Sequence, residues 1–252
     1  MIPYIDIKIP PIFGFHLEPF GILVFIGCIV GIHFAKKRAA QKNLSLRVID
    51  DIAMYCCILA GFLGAHLFHF LAYDPQTFFK NPMVFFTQFR SGLSSMGGFL
   101  TAAAAIVIYL RAKKLSFLEY GEAILFGLLP GWIFGRLGCT TAHDHPGRRT
   151  DFWLGVKYPE GVRHDLGFYE FLITIVMTLI VYGLAAQKKD RPTGFYLAIS
   201  LFMYSTVRFF LDYLRIADAT YGGLTPAQYA CIGVGIYSIY LYAKVTQRPI
   251  KG

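Results

Sequence analysis

Apolar residues in this chain come in runs too long and too even for the faces of a soluble domain. They fill stretches near 19–35, 52–72, 93–110, 121–135, 168–186, 194–214 and 226–243. All but the fourth approach the roughly 17–25 residues with which an α-helix crosses a ~30 Å hydrocarbon layer. The pattern predicts an all-α, polytopic membrane protein of about seven transmembrane helices, built as a single integral-membrane domain over 1–252. The polar stretch 136–167 reads as a loop on one face. Thr225 and Pro226 suit the N-cap and first turn of helix seven, and the Arg191-Pro192-Thr193-Gly194 turn precedes helix six. Ala60, Gly61, Gly64 and Ala65 give helix two the small residues that let membrane helices approach closely. No 20–50-residue repeat and no low-complexity segment interrupts this plan.

Composition sharpens the class. Of 252 residues, 56% are hydrophobic and only 15% charged, with a mean hydropathy of +0.51, whereas a soluble domain carries about 25% charged residues. A net charge of +9 would point a soluble protein toward nucleic acid. Here the bilayer is the expected partner of those cations, and nucleic acid is not. Five cysteines, an odd number without C-x-x-C spacing, argue against a disulfide framework or a zinc site, so neither metal nor cofactor is expected. The start lacks a basic region followed by a cleavable apolar segment, and the first run is expected to be retained as a helix.

Basic residues set the orientation, because they are held on the cytoplasmic side. Fourteen follow helices one, three, five and seven: Lys36, Lys37, Arg38, Lys42, Arg47, Arg111, Lys113, Lys114, Lys188, Lys189, Arg191, Lys244, Arg248 and Lys251. Nine lie on the other side: Lys8, Lys80, Arg90, Arg136, Arg148, Arg149, Lys157, Arg163 and Arg215. The N-terminus is therefore expected outside and the C-terminus in the cytoplasm.

Candidate chemistry lies where ionisable groups sit at membrane depth, since each costs roughly 2.5–3.5 kcal/mol at a helix centre on the mildest scale. Arg208 and Asp212 are four apart on helix six, with Tyr204 and Arg215 near the same stripe. They read either as a self-neutralising pair or as part of a site. Gly135-Arg136-Leu137-Gly138-Cys139 leads into Thr140-Thr141-Ala142-His143-Asp144-His145-Pro146-Gly147-Arg148-Arg149. That stretch suits a phospholipid head group whose phosphate arginine grips with two donors, or equally a solvated loop. His164 precedes helix five and Glu170 lies in its first turn, where an acid favours the helix dipole. His66 and His69 read as packing or interfacial residues, with metal ligation the alternative. Met96-Gly97-Gly98 opens helix three, where adjacent glycines allow close approach of backbone or ligand.

Taken together, these motifs resemble the bacterial prolipoprotein diacylglyceryl transferase family over nearly the whole chain. The likeness rests on the glycine-rich start of helix three, Gly135-Arg136-x-Gly138 leading to Gly147-Arg148, and His164 followed by Tyr169-Glu170. It also rests on the run from Tyr204 through Arg208, Asp212 and Arg215 to Asp218. The resemblance implies an enzyme of the bacterial inner membrane whose active site faces the outer leaflet. It would move the diacylglyceryl group of phosphatidylglycerol, or a related phospholipid, to the cysteine thiol of a prolipoprotein lipobox. The product is a thioether and glycerol phosphate leaves. The thiol, with an ordinary pKa of ~8.5, must lose its proton while charge builds on the departing phosphate.

The resemblance implies catalytic roles for Arg136, Tyr204, Arg208, His143 and Asp144. It implies substrate contacts from Gly97, Gly98, Cys139, Gly147, Arg148, His164, Asp212 and Arg215. This chain departs from the family pattern at four places. Met96 stands where the family has a histidine suited to take the thiol's proton, Cys139 replaces an asparagine, Phe20 a tyrosine and Asp144 a glutamate. Either base function has moved to His143, Asp144 or His145, or the acceptor has changed, or the pocket binds phospholipid without catalysis. A nucleophilic Cys139 is a further possibility. A transporter is the unrelated alternative, but it would place its ionisable residues at the midplane and often show inverted repeats.

Overall fold

The computed structural model describes residues 1–7, 9–10, 18–72, 74–88, 92–187, 189–216 and 220–247, with only the backbone of Ala72, Ser95 and Met96. Lys8, Arg90, Lys188, Arg248 and Lys251 of the charge pattern, Asp218 of the helix-six motif and the Met96 side chain lie outside the described residues. The chain is mostly helical, and five helices are long and apolar enough to cross a membrane: Pro19–Gln41, Leu46–Leu71, Phe117–Ala142, Leu166–Ala186 and Phe195–Asp212. Phe25, Ile29, Leu179 and Ile236 are each more than half exposed on these helices or on the last one. Such outward apolar surface is unfavourable in water and ordinary in lipid. The fold is that of a multi-pass membrane protein.

Two compact units divide the chain, Met1–Arg38 with Gly121–Gly252, and Ala39–Tyr120. The first holds most of α1 (Pro19–Gln41) and α7 (Phe117–Ala142), together with α8 (Leu166–Ala186), α9 (Phe195–Asp212) and α10 (Pro226–Thr246). Helices α1 and α7 cross backbone to backbone through two glycine pairs four residues apart. A Cβ on Gly27 would lie 2.6 Å from the Gly131 carbonyl oxygen, and one on Gly131 equally close to the Gly27 carbonyl oxygen. Leu125, Phe126, Leu129, Met177, Val181, Phe195 and Tyr196 form the apolar core between α7, α8 and α9. Pro130 lies inside α7 and has no N–H for the Phe126 carbonyl four residues earlier. The Tyr182 hydroxyl donates to that carbonyl at 2.5 Å and so satisfies it away from water.

The α7 helix corrects the weakest helix expectation. It runs 26 residues, through Arg136 and on to Ala142, instead of stopping near residue 135. Thr140 and Thr141 return their hydroxyls to the Arg136 and Gly138 carbonyls, so polar residues continue the helix they were expected to end. The stretch 136–167 is likewise not a plain loop. Strands β2 (Pro146–Arg149), β3 (Val156–Tyr158) and β4 (Gly161–Asp165) join β1 (Ile2–Pro3) in a sheet ordered β1-β3-β4-β2, parallel at β1-β3 and antiparallel elsewhere. The fold is helical with this one small sheet added to the expected all-α plan.

Arg38, counted above as a loop cation, is inside α1 and pairs with buried Glu122 at 2.8 Å. Its guanidinium stacks on Phe126 at 4.2 Å. The other Glu122 oxygen accepts the Gly194 N–H at 2.9 Å, fixing the left-handed residue (φ 96°) that starts α9.

In the second unit, α2 (Leu46–Asp51), a nine-residue π-helical stretch (Ile52–Ala60) and α3 (Gly61–Ala72) follow one another without a break. They precede two short helices, α4 (Pro75–Lys80) and α5 (Val84–Thr87), and then α6 (Ser95–Ala112). The small residues of helix two meet α6: a Cβ on Gly61 would touch the Gly98 carbonyl and Ala102, and one on Gly97 would stand 2.9 Å from the Gly64 carbonyl. Asp51 accepts the Tyr109 hydroxyl at 2.6 Å. His66 is fully buried, with its ring nitrogens toward the Phe85 and Gly92 carbonyls.

Candidate functional site in the first unit

Arg136 and Arg208 come from α7 and α9, and Glu170 of α8 joins them. Arg136 Nη2 is 2.5 Å from Glu170 Oε2, and Arg208 Nη1 donates to Glu170 Oε1 at 3.1 Å. Arg208 Nη2 lies 3.2 Å from Asp212 Oδ1, one helical turn along. Arg215 stands 3.8 Å from the same oxygen. The Arg136 guanidinium also stacks on Trp132 of the preceding turn at 4.8 Å. Three guanidiniums and two carboxylates thus stand together, with Arg136, Arg208, Glu170 and Asp212 largely buried, where charges act on one another more strongly than in water.

A pocket opens on this network, lined by Glu170, Ile173, Thr174, Tyr204, Val207, Arg208 and Leu211. The Tyr204 phenol lies in the field of Glu170, Arg136 and Arg208. Charged and apolar side chains thus meet in one place.

Asp212 is held from two sides. Thr225 donates its hydroxyl to the Asp212 carboxylate and, with Gln228, closes the capping box of α10. Gln228 Nε2 donates to the Phe209 carbonyl at 3.2 Å. The expected Thr225-Pro226 cap is therefore also the fastener between the end of α9 and the start of α10.

The sheet brings its arginines to the same end. Gly147 bridges to Arg215, and the Arg148 N–H donates to the Leu214 carbonyl at 2.8 Å. A Cβ at Gly147 would stand 2.8 Å from the Leu214 carbonyl oxygen and 3.0 Å from His164 Cβ, so glycine is the residue that lets this edge close. Arg148 Nε donates to the Arg215 carbonyl at 3.3 Å.

The other expected site residues have these surroundings. His143 Nδ1 is 2.9 Å from Asp165 Oδ2 and Nε2 is 3.3 Å from the Ile5 carbonyl, while its ring stacks on Tyr4 at 4.1 Å. Fully buried Asp165 also caps α8 through the Phe168 N–H and accepts the Tyr158 hydroxyl. Burial, then the Asp165 charge and hydrogen bond, push the Tyr158 pKa far up and keep its proton on. His164 Nδ1 meets the Tyr169 hydroxyl at 2.8 Å, and burial lowers its pKa. Gly97 and Gly98 belong to the α3–α6 crossing of the other unit. Cys139 is buried, with Sγ 3.9 Å from Arg136 Nη1. Asp144 is exposed next to it in sequence-local space.

Glu170 is the central residue that sequence reasoning missed. It was expected in the first turn of its helix as a favourable dipole contact, but α8 starts at Leu166, is capped by Asp165 and has no acid in its first turn, so Glu170 lies beyond it. A glutamate six residues beyond its histidine and within an apolar helix was the available signal.

Arg208 and Glu170 line this pocket, and Arg136 joins them through Glu170, inside a multi-pass membrane protein. Residues 8–244 match the family model of prolipoprotein diacylglyceryl transferase, and the chain belongs to that family. Relatives named phosphatidylglycerol–prolipoprotein diacylglyceryl transferase are similar along most of their length. The one from Nitratidesulfovibrio vulgaris (strain DP4) is 26% identical over 88% of this chain and 88% of its own. That of Pseudoalteromonas translucida is 30% identical over 87% and 84%, and that of Janthinobacterium sp. (strain Marseille) 31% identical over 74% and 72%.

Proposed function

We propose that the protein transfers the diacylglyceryl group of phosphatidylglycerol to a lipobox cysteine thiol, with residues 1–252 acting as one membrane-embedded transferase. The observation that carries this reading is the Arg136–Glu170–Arg208 bridge on a pocket with apolar walls. In it, the phosphodiester sits against Arg136 and Arg208, which Glu170 holds in place before the lipid arrives. The acceptor sulfur forms a bond to the glyceryl carbon as the C–O bond to phosphate breaks, and glycerol phosphate departs with the electron pair. Fixed cations in a low-dielectric site stabilise that growing charge without reorganising. Tyr204 donates a hydrogen bond to the leaving oxygen. Arg148 and Arg215 extend the positive rim, and Gly147 closes the sheet edge beside it. His143 and His164 support the frame from the Asp165 and Tyr169 side.

On the same reading α6 and α10 complete seven spans, with the N-terminus outside and the C-terminus in the cytoplasm of a bacterial cell. The arginine end faces the outer leaflet of the cytoplasmic membrane. The excess of basic residues after helices one, three, five and seven supports that orientation.

The test is a mass measurement. Purified full-length protein in detergent is given phosphatidylglycerol and a lipobox peptide containing one cysteine, or its serine counterpart. The cysteine peptide should gain the mass of a diacylglyceryl thioether and the serine peptide should not. Unmodified cysteine peptide, with phosphatidylglycerol bound, would overturn the reading.

A further inference from the structure

Helix α7 ends three residues beyond Cys139, and His143 takes a left-handed backbone conformation (φ 49°) immediately after it. That turn sends Asp144 and His145 back over the end of the helix. The Cys139 sulfur, a carboxylate oxygen of Asp144 and a ring nitrogen of His145 all lie within 4.8 Å of one another. The cysteine is buried, while the other two side chains are 44% and 35% exposed. We propose that these three residues form a binding site for Zn²⁺ with one open coordination position.

The donor types are those zinc takes, a thiolate, an imidazole and a carboxylate. Around a tetrahedral ion with bonds of ~2.0–2.3 Å, ligand atoms stand roughly 3.3–3.8 Å apart. Closing the trio by about 1 Å is within reach of two partly exposed side chains beyond a helix end. His145 Nδ1 is 2.9 Å from the Asp144 carbonyl oxygen, which can only accept. The same nitrogen stands 3.7 Å from Asp144 Oδ1, and a metal takes either ring nitrogen of a histidine. Two anionic ligands match the charge of the ion. The nearby Arg136, 3.9 Å from the sulfur, is already paired with Glu170. Cysteine spacing along the chain could not reveal this site, because only one cysteine takes part and the fold supplies the rest.

Three protein ligands with a fourth position free is the arrangement of catalytic zinc. Resting on the transferase reading above, the open position takes the acceptor thiol as thiolate and its proton passes to solvent, since a coordinated thiol is deprotonated outright. The bound sulfur then forms the C–S bond as the C–O bond to glycerol phosphate breaks. The neutral thioether is a weaker donor and leaves.

Co²⁺ titration of the full-length, chelator-stripped protein in detergent tests this. One Co²⁺ per chain should bind, with the visible bands of a tetrahedral ion and a near-ultraviolet thiolate-to-cobalt band, and Zn²⁺ should displace it. Cys139→Ser should abolish the thiolate band. His145→Ala should weaken binding by more than about tenfold, and Cys28→Ser should behave as wild type. Absence of stoichiometric binding by the wild type, or Cys139→Ser and His145→Ala titrating as wild type does, would overturn the site. A stronger thiolate band with the cysteine peptide but not the serine peptide supports the open-position role, and no change overturns it. Those spectra need no turnover, so they separate failure of the zinc inference from failure of the transferase reading.

Discussion

Arg136 and Arg208 grip opposite oxygens of one carboxylate, at 2.5 and 3.1 Å from Glu170. Neither arginine is a neighbour of the other in sequence, and the glutamate that joins them is on a third helix. Removing it would take the carboxylate from largely buried Arg136, while Arg208 keeps Asp212. Glu170→Ala should therefore lower stability by about 3–5 kcal/mol, the range for stranding a buried charge. Thermal unfolding in detergent is the check. Glu170→Gln, which keeps the shape, should cost less but still lower the rate of transfer.

The Arg208 guanidinium spans Glu170 and Asp212 with separate nitrogens. Lysine keeps the charge but cannot hold both carboxylates and a phosphate in fixed geometry. Arg208→Lys should reduce kcat by about 10²–10³, with the unfolding temperature lowered far less than by Glu170→Ala. Steady-state kinetics alongside thermal unfolding decide this.

How much of this was legible in the sequence differs from residue to residue. Thr225-Pro226 announced the start of α10 because capping is local chemistry. Arg136 was legible as a costly cation but not as a helical residue. Its neighbours Gly138, Thr140 and Thr141 read as loop, while their hydroxyl bonds to α7 exist only once the helix has formed. The sheet at 146–165 escaped notice for another reason. Pro-Gly-Arg-Arg has no alternating apolar face, and its pairing partners are β4 and the chain after α9. The contact of Gly27 with Gly131 was not read from the sequence, because which helices two glycines join is a tertiary matter.

The Pro130 gap in α7 makes a second specific coupling. Tyr182→Phe leaves the Phe126 carbonyl without its donor and should destabilise the protein by about 1 kcal/mol. In a Pro130→Ala background the restored N–H can take that carbonyl, and the same change should cost much less. A double-mutant cycle read by thermal unfolding would show the difference as a coupling energy. Equal costs in both backgrounds would contradict the assignment.

Backbone contact between α1 and α7 leaves no room for side chains at the crossing. Gly131→Leu should cost about 1–3 kcal/mol, as overpacking does, whereas Gly183→Ala, with nothing within 4 Å of its added Cβ, should be tolerated. Detergent-solubilised yield and unfolding temperature report both.

Burial of His164 gives a pH dependence with a definite sign. Its pKa in the folded chain is below the ordinary 6.5, so on acidification the unfolded chain takes up the proton first. The stability contribution is intact above pH 6.5, declines as pH falls through that value toward the lowered one, and then levels off. His164→Gln should flatten this decline in the unfolding temperature. An unchanged acid slope in the variant would mean that another group is responsible.

The most direct measurement of the central claim is glycerol phosphate release from phosphatidylglycerol, with and without the cysteine peptide, by the wild type and by Arg136→Gln and Arg208→Gln variants of confirmed fold. The account predicts peptide-dependent release by the wild type and a loss of about 10²-fold or more in each variant. Release at the wild-type rate in both folded variants would contradict it.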